Sequence, residues 1–196
     1  MTFITGAAKL IEMPIYQKSN YYILAGTSGT GKSTTLKQLK EANFMCFDEA
    51  ARSVLEEQLA IQGPALPSNS PLLFVQAMLN QNVKDFKNVA AVRSPVFFDR
   101  GMPDLVHYAL RFNIDPTEFE KASKEYCYNK KVFMFPPWKD IFINDSVRKM
   151  TFEKSVEFHE LLTKVYKELN YDLVEVPFGK IEDRVKFILG EIDRLS

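Results

Sequence analysis

Short apolar runs alternate along the chain with longer stretches in which apolar residues recur every three or four positions. Residues 21–25 (YYILA) predict a buried strand that ends in a glycine-rich turn, and Lys32–Glu41 predicts the helix after it. Residues 44–47 (FMCF) predict a second strand with Cys46 buried inside it. From 49 to 61, Ala50, Val54, Leu55 and Leu59 mark the apolar side of a helix. Residues 62–71 hold three prolines and a glycine and read as a loop. Ser70 then caps a helix over 72–87, with Pro71 at its first position. A third strand at 96–98 ends in Asp99, Arg100 and Gly101, and helices follow at 103–112 and 116–128. Each has a proline early and an aspartate near its start. A fourth strand at 132–135 is stopped by Pro136 and Pro137. A polar connector leads to a long helix capped by Ser146 or Thr151, a fifth strand at 173–176 and a last helix at 181–195. Five short apolar strands with helical crossovers predict an α/β fold with a parallel sheet covered on both faces. Ligands of such sheets sit at the carboxyl ends of the strands, and Gly26, Asp48 and Asp99 all fall there.

Residues 26–34, GTSGTGKST, fit the phosphate-binding pattern G-x-x-x-x-G-K-[ST] between a predicted strand and a predicted helix. Gly26, Thr27, Ser28, Gly29, Thr30, Gly31, Lys32, Ser33 and Thr34 thus form a candidate nucleotide cradle. Its glycines let successive backbone N–H groups turn inward, and the start of the following helix adds positive potential. Lys32 is suited to the β- and γ-phosphates and the Ser33 hydroxyl to Mg²⁺.

Two acidic positions accompany it. Asp99, after the third strand, suits the Mg²⁺ shell beside Ser33, or a cap on the next helix. Arg100 beside it suits a substrate phosphate or a nearby acid. After the second strand come Asp48, Glu49 and, one turn on, Arg52. Read plainly, Asp48 caps the helix and Glu49 pairs with Arg52 on one face. Read functionally, Asp48 or Glu49 accepts the proton of a substrate hydroxyl that attacks the γ-phosphate. The connector after the fourth strand carries Lys139, Arg148 and Lys149 against Asp140 and Asp145. It predicts a lid over about 136–150 in which Arg148 neutralises charge on the phosphates. Trp138 stacks on a base or packs at the hinge of that lid.

Composition narrows the partners. Twenty-five basic and 25 acidic residues give a formal net charge of zero, so a dedicated nucleic-acid binder is disfavoured. Two cysteines, Cys46 and Cys127, form neither a disulfide framework nor a metal motif. No signal sequence and no apolar run of roughly 18 residues is evident, which predicts a cytoplasmic protein with no membrane partner. The length of 196 residues suits a single domain with a lid.

Together GTSGTGKST, FDEAAR, FFDRGMPD and PPWKDIFINDSVRK resemble the NadR-type AAA ATPase domain, a group similar to the kinase portion of bacterial ribosylnicotinamide kinase and, more remotely, to deoxynucleoside kinases. The resemblance spans about residues 20–190. It implies a nucleoside- or nucleotide-kinase-like P-loop fold, a three-layer sandwich with central strand order 2-3-1-4-5. It also implies ATP and Mg²⁺ as cofactors. Glu49 and Arg52 match the group's acid-x-x-arginine after strand two, Asp99 and Arg100 its aspartate–arginine, and Asp145 and Arg148 its lid pattern. With the residue readings above, Glu49, Arg52 and Arg100 are expected at the substrate, and Lys32, Asp48, Glu49, Asp99 and Arg148 in catalysis. Asp99–Arg100, in place of paired acids, sets the chain apart from oligomeric AAA-plus motors. Nothing in the sequence identifies a nicotinamide site.

The leading expectation is a small-molecule kinase that transfers the ATP γ-phosphate to a hydroxyl of a nucleoside- or metabolite-type acceptor. The alternative is a nucleotide-dependent regulatory ATPase acting on a protein partner. A guanine-specific version is disfavoured because Val132 stands where the guanine-reading aspartate of Asn129–Lys130–Lys131 would be.

Overall fold

The computed structural model describes residues 15–142 and 151–193. In chain order its elements are β1 (Tyr16–Gln17), β2 (Tyr21–Gly26), α1 (Lys32–Glu41), β3 (Met45–Phe47), α2 (Ala50–Ala60), α3 (Pro71–Asn88), β4 (Val96–Asp99) and α4 (Met102–Arg111). There follow α5 (Thr117–Glu125), β5 (Tyr126–Cys127), β6 (Lys131–Phe135), a 3₁₀ turn at Lys139–Ile141, α6 (Phe152–Glu168), β7 (Asp172–Glu175) and α7 (Ile181–Asp193).

Every residue of β2 is buried because it is the middle strand of a five-stranded parallel sheet ordered β3-β4-β2-β6-β7. Numbered within that sheet, the order is 2-3-1-4-5. Successive residues of β2 point to opposite faces. Tyr21, Ile23 and Ala25 join a core with α3, α4 and α6, through residues such as Val75, Leu105 and Leu162. Tyr22 and Leu24 join a second core with Leu36 and Leu39 of α1 and Val185, Ile188 and Ile192 of α7. The chain therefore folds as three layers, helix on sheet on helix. Leu24 pairs with Asp99 and Gly26 with Phe135, so the strand ends bearing the chemical residues lie along one edge.

The caps follow their side chains. The Ser70 hydroxyl accepts from the Leu73 N–H at 3.4 Å with Pro71 at the first helical position. The Thr151 hydroxyl accepts from the Lys154 N–H at 3.3 Å, so Thr151 opens α6, while Ser146 lies outside the described residues.

Three expectations need correction. Cys46 is half-buried, because β3 is an edge strand with no further strand beyond it among the described residues, and Met45 beside it is exposed. In α2 only Ala50 and Val54 are buried, whereas Leu59 is 60% exposed and Leu55 is also exposed. Leu55 and Leu59 lie about 100° and 140° round the helix from Val54, and the sheet and α3 cover only the Val54 side. The helix expected over 116–128 stops at Glu125, since Tyr126 and Cys127 pair in parallel with Tyr16 and Gln17. The Tyr16 and Tyr126 rings stack at 5.2 Å, and the Lys87 ammonium lies over both. Asn129 closes a turn, its side-chain oxygen accepting from the Lys131 N–H at 2.8 Å. Among the described residues no helix is long and apolar enough to cross a membrane.

Candidate functional site

The turn between β2 and α1 is shaped by its glycines. Gly26 has φ 142°, and a Cβ there would lie 2.5 Å from the Phe135 carbonyl oxygen of the neighbouring strand. Gly31, at the N-cap of α1, has φ 78° in the left-handed region, where a side chain is strained. The Thr30 hydroxyl donates to the Thr27 carbonyl at 3.0 Å and the Thr35 hydroxyl to the Gly31 carbonyl at 3.0 Å, closing the loop on itself.

The loop lines a cleft of about 270 Å³ whose other walls are Asp48, Glu49, Arg52 and Asp99. The fold thus brings the candidates from the ends of β2, β3 and β4 together, with residues 27–34 of the loop all on the wall. Lys32 is buried and its ammonium donates to the Asp99 carboxylate. The Ser33 hydroxyl donates to the other Asp99 oxygen at 3.3 Å. A hydroxyl and a carboxylate side by side match the donor set of a hard cation that takes its remaining ligands from phosphates and water. Among the described residues no group of three or more His, Cys, Asp or Glu side chains could hold a metal by itself. Asp99 does not cap α4. That part is taken by Asp104, which accepts from the Gly101 N–H at 2.9 Å.

The two acids after β3 diverge. The Asp48 carboxylate is 67% exposed and pairs with Lys40 at 2.6 Å, and it caps nothing. Glu49 occupies the N-cap position of α2 without a side-chain cap bond. Its Oε1 accepts from Arg100 Nε at 2.7 Å and from the Tyr108 hydroxyl at 3.2 Å. Burial pushes the Glu49 carboxyl up, but the charges of Arg100 and Lys32 and the two hydrogen bonds outweigh it and hold it at about 2. The expected Glu49–Arg52 pair is absent among the described residues, and Arg52 stands exposed on the cleft wall. A buried guanidinium competes better for the carboxylate than a solvated one.

Arg100 is buried and sits behind Glu49, with its Nη1 donating to Asp104 at 3.1 Å. Its backbone has φ 74°, a strained value for arginine, fixed by an N–H bond to the Leu24 carbonyl at 3.0 Å and by both acids. Asp104 also accepts from the Tyr166 hydroxyl, completing a buried network of β4, α4 and α6. A narrow second cleft, about 10 Å³, opens on this network and shares Glu49 with the first. Ala50, Ala51, Met78, Asn82, Leu105 and Tyr108 line it beside Arg100 and Asp104.

Asp104, Tyr108, Tyr166 and Asn82 escaped the sequence reading. Asp104 had a signal, its place in FFDRGMPD, but read only as a helix-opening acid. Trp138 stacks on Phe178, ring centroids 5.0 Å apart. Arg148 and Asp145, the lid candidates, lie outside the described residues.

A sequence profile described as AAA domain matches residues 21–184. No curated protein matches the sequence. Among solved structures the chain is similar to the NadR protein in complex with NR, at 19% identity and TM-score 0.65, over 90% of this chain and 50% of that one. This chain therefore spans about half the length of that NadR chain. It is also similar to a deoxyadenosine kinase from M. mycoides, at 17% identity and TM-score 0.57, over 89% of this chain and 99% of that one. A third match is shikimate kinase from Acinetobacter baumannii, at 16% identity and TM-score 0.53, over 91% of this chain and 94% of that one. These likenesses establish the P-loop kinase fold.

Proposed function

We propose, from the premise that this chain belongs to the AAA domain family matched over residues 21–184, that it is an ATP-dependent phosphotransferase for a small hydroxyl-bearing acceptor. One observation carries the reading. Glu49, held by Arg100 and Tyr108, lines the phosphate cleft, so a carboxylate of set orientation stands where an acceptor hydroxyl would meet the phosphates. The solved structures similar to this fold include kinases of nucleosides and of shikimate, which supports a small acceptor.

In this reading the amides of residues 27–34 cradle the β- and γ-phosphates. Lys32 leaves Asp99 for the phosphates, where its charge follows the transferring group. Ser33 and Asp99 would hold Mg²⁺, which offsets phosphate charge when bound with the triphosphate. Glu49, not Asp48, orients the acceptor hydroxyl, because the Asp48 carboxylate faces solvent and Lys40. A carboxylate held at about 2 is a weak base. It serves first as an acceptor that aims the oxygen lone pair, and the proton moves late, as a loose transition state allows. Arg100 and Tyr108 fix the Glu49 rotamer. Arg52, exposed on the cleft wall and without an ion pair among the described residues, would meet a ligand phosphate or hydroxyl. Arg148 is proposed as the lid cation from the charges of the connector and the family pattern. The chain is read as one kinase domain with its lid over about 136–150.

The experiment is a thermal-shift screen of magnesium nucleotides. A panel of nucleosides, sugars, polyols and hydroxy acids follows in the presence of a non-hydrolysable ATP analogue, and hits are assayed for phosphorylated product. A ligand that binds the folded state raises the melting temperature by mass action. ATP consumption that no acceptor accelerates above the water-only rate would defeat the proposal.

A further inference from the structure

Arg184, in the first turn of α7, is 1% exposed although it carries a charge. Its guanidinium lies 4.7 Å from the Phe135 ring centroid and 5.5 Å from that of Trp138. Nε donates to the Pro177 carbonyl at 3.1 Å and Nη1 to the Thr30 carbonyl at 2.8 Å. Among the described residues Nη2 is buried without a partner and no charged group offsets the burial. Burying a guanidinium without a counter-charge is costly, and fold stability alone is better served by an apolar side chain of that size.

The bond to Thr30 has a geometric consequence. Thr30 and Gly31 share one planar trans peptide, in which the C=O and the N–H point in opposite directions. An acceptor carbonyl drawn toward Arg184 therefore turns the Gly31 N–H the other way. Both residues line the phosphate cleft. The contact is also close on the glycine, where a Cβ would lie 2.5 Å from Nη1. Gly31 is thus needed for its backbone angle and for the space that Arg184 takes.

We propose that Arg184 is a positioning residue for nucleotide binding: it fixes the Thr30–Gly31 peptide so that the Gly31 amide is presented to a bound polyphosphate. This rests on the reading of the cleft as a phosphate site. It adds to that site a residue 154 positions away from Thr30 that does not line the cleft.

The test compares the affinity of MgATP and of magnesium tripolyphosphate for the wild type, Arg184→Met, Arg184→Lys and Lys131→Met by calorimetry. Methionine keeps a long stem over the two rings but cannot donate. Lysine restores one donor. Lys131→Met is the control, since Lys131 anchors the other end of α7 through Glu191 at 2.8 Å and does not line the cleft. The expected result is a loss of about tenfold for both probes in R184M, partial recovery in R184K and no change in K131M. Affinity within twofold of wild type in R184M, or an equal loss in K131M, would overturn the inference. If R184M does not fold, R184K decides: a loss of about threefold with K131M unchanged supports it, and no loss overturns it. A wild type that binds tripolyphosphate but not MgATP defeats the kinase reading and leaves the ratios to decide Arg184. A wild type that binds neither overturns both.

Discussion

Arg100 Nε donates to Glu49 Oε1 at 2.7 Å across 51 residues of sequence, tying the end of β4 to the start of α2 directly behind the phosphate cleft. The same guanidinium holds Asp104, so one buried cation serves two acids.

Removing Arg100 leaves both carboxylates without it. Arg100→Met is expected to destabilise the fold by about 3–5 kcal/mol, the usual penalty for orphaning a buried charge. Glu49→Gln keeps the shape and one acceptor oxygen, so it costs less in stability. It is expected to lower turnover by about a hundredfold with little change in KM for ATP. Urea unfolding and initial rates on the two variants separate these effects. Asp48→Asn, in the solvent-facing pair with Lys40, should leave turnover within about twofold.

Asp99 faces both Lys32 and Ser33. Asp99→Asn is expected to retain nucleotide binding in the absence of magnesium and to lose the gain in affinity that magnesium gives the wild type. Calorimetry with ATP, with and without the metal, reads this directly. An unchanged magnesium effect would remove Asp99 from the metal's shell.

Acid should unfold the protein in two stages. Burial, followed by the charges of Arg100 and Arg111, holds the imidazole of the fully buried His107 down at about 3, against an ordinary value near 6.5. The unfolded chain therefore binds a proton that the folded one refuses, so stability is fully present above pH 6.5 and falls toward pH 3. Glu49, held at about 2, adds stability that is present above pH 4.5 and lost below it. Between pH 6.5 and 4.5 His107 acts together with His159, whose imidazole burial also holds below its ordinary value, and Glu49 does not; each histidine contributes a slope of at most about 1.4 kcal/mol per pH unit. His107→Leu is expected to make that window shallower in urea titrations, leaving the contribution of His159 and the drop below pH 4.5.

What the sequence made legible was local. The phosphate loop could be read because glycines, lysine and hydroxyl sit within nine residues, and the strand before and helix after them carry clear periodicity. Asp99 and Glu49 could be read because parallel strands all end at one edge, which makes a position after a strand a spatial statement. Pairing across the fold could not. Glu49 lies one turn from Arg52, yet its partner is Arg100, which burial makes the stronger competitor. Arg184 lies on the last helix with no motif around it, and only the packing of α7 against α1 brings it to Thr30. The two-residue strands β1 and β5 are too short to carry a pattern. Leu55 and Leu59 fit a helical period, but periodicity does not say which stripe the rest of the chain covers.

The central claim is that Lys32 and the amides before it hold the phosphates of a magnesium nucleotide, and titration of MgATP into wild-type and Lys32→Ala protein tests it most directly. The account predicts saturable one-site binding to the wild type and a loss of at least about tenfold in the variant, with both proteins folded. Equal affinities, or a wild type that gives no heat and no melting shift with any magnesium nucleotide, would contradict it.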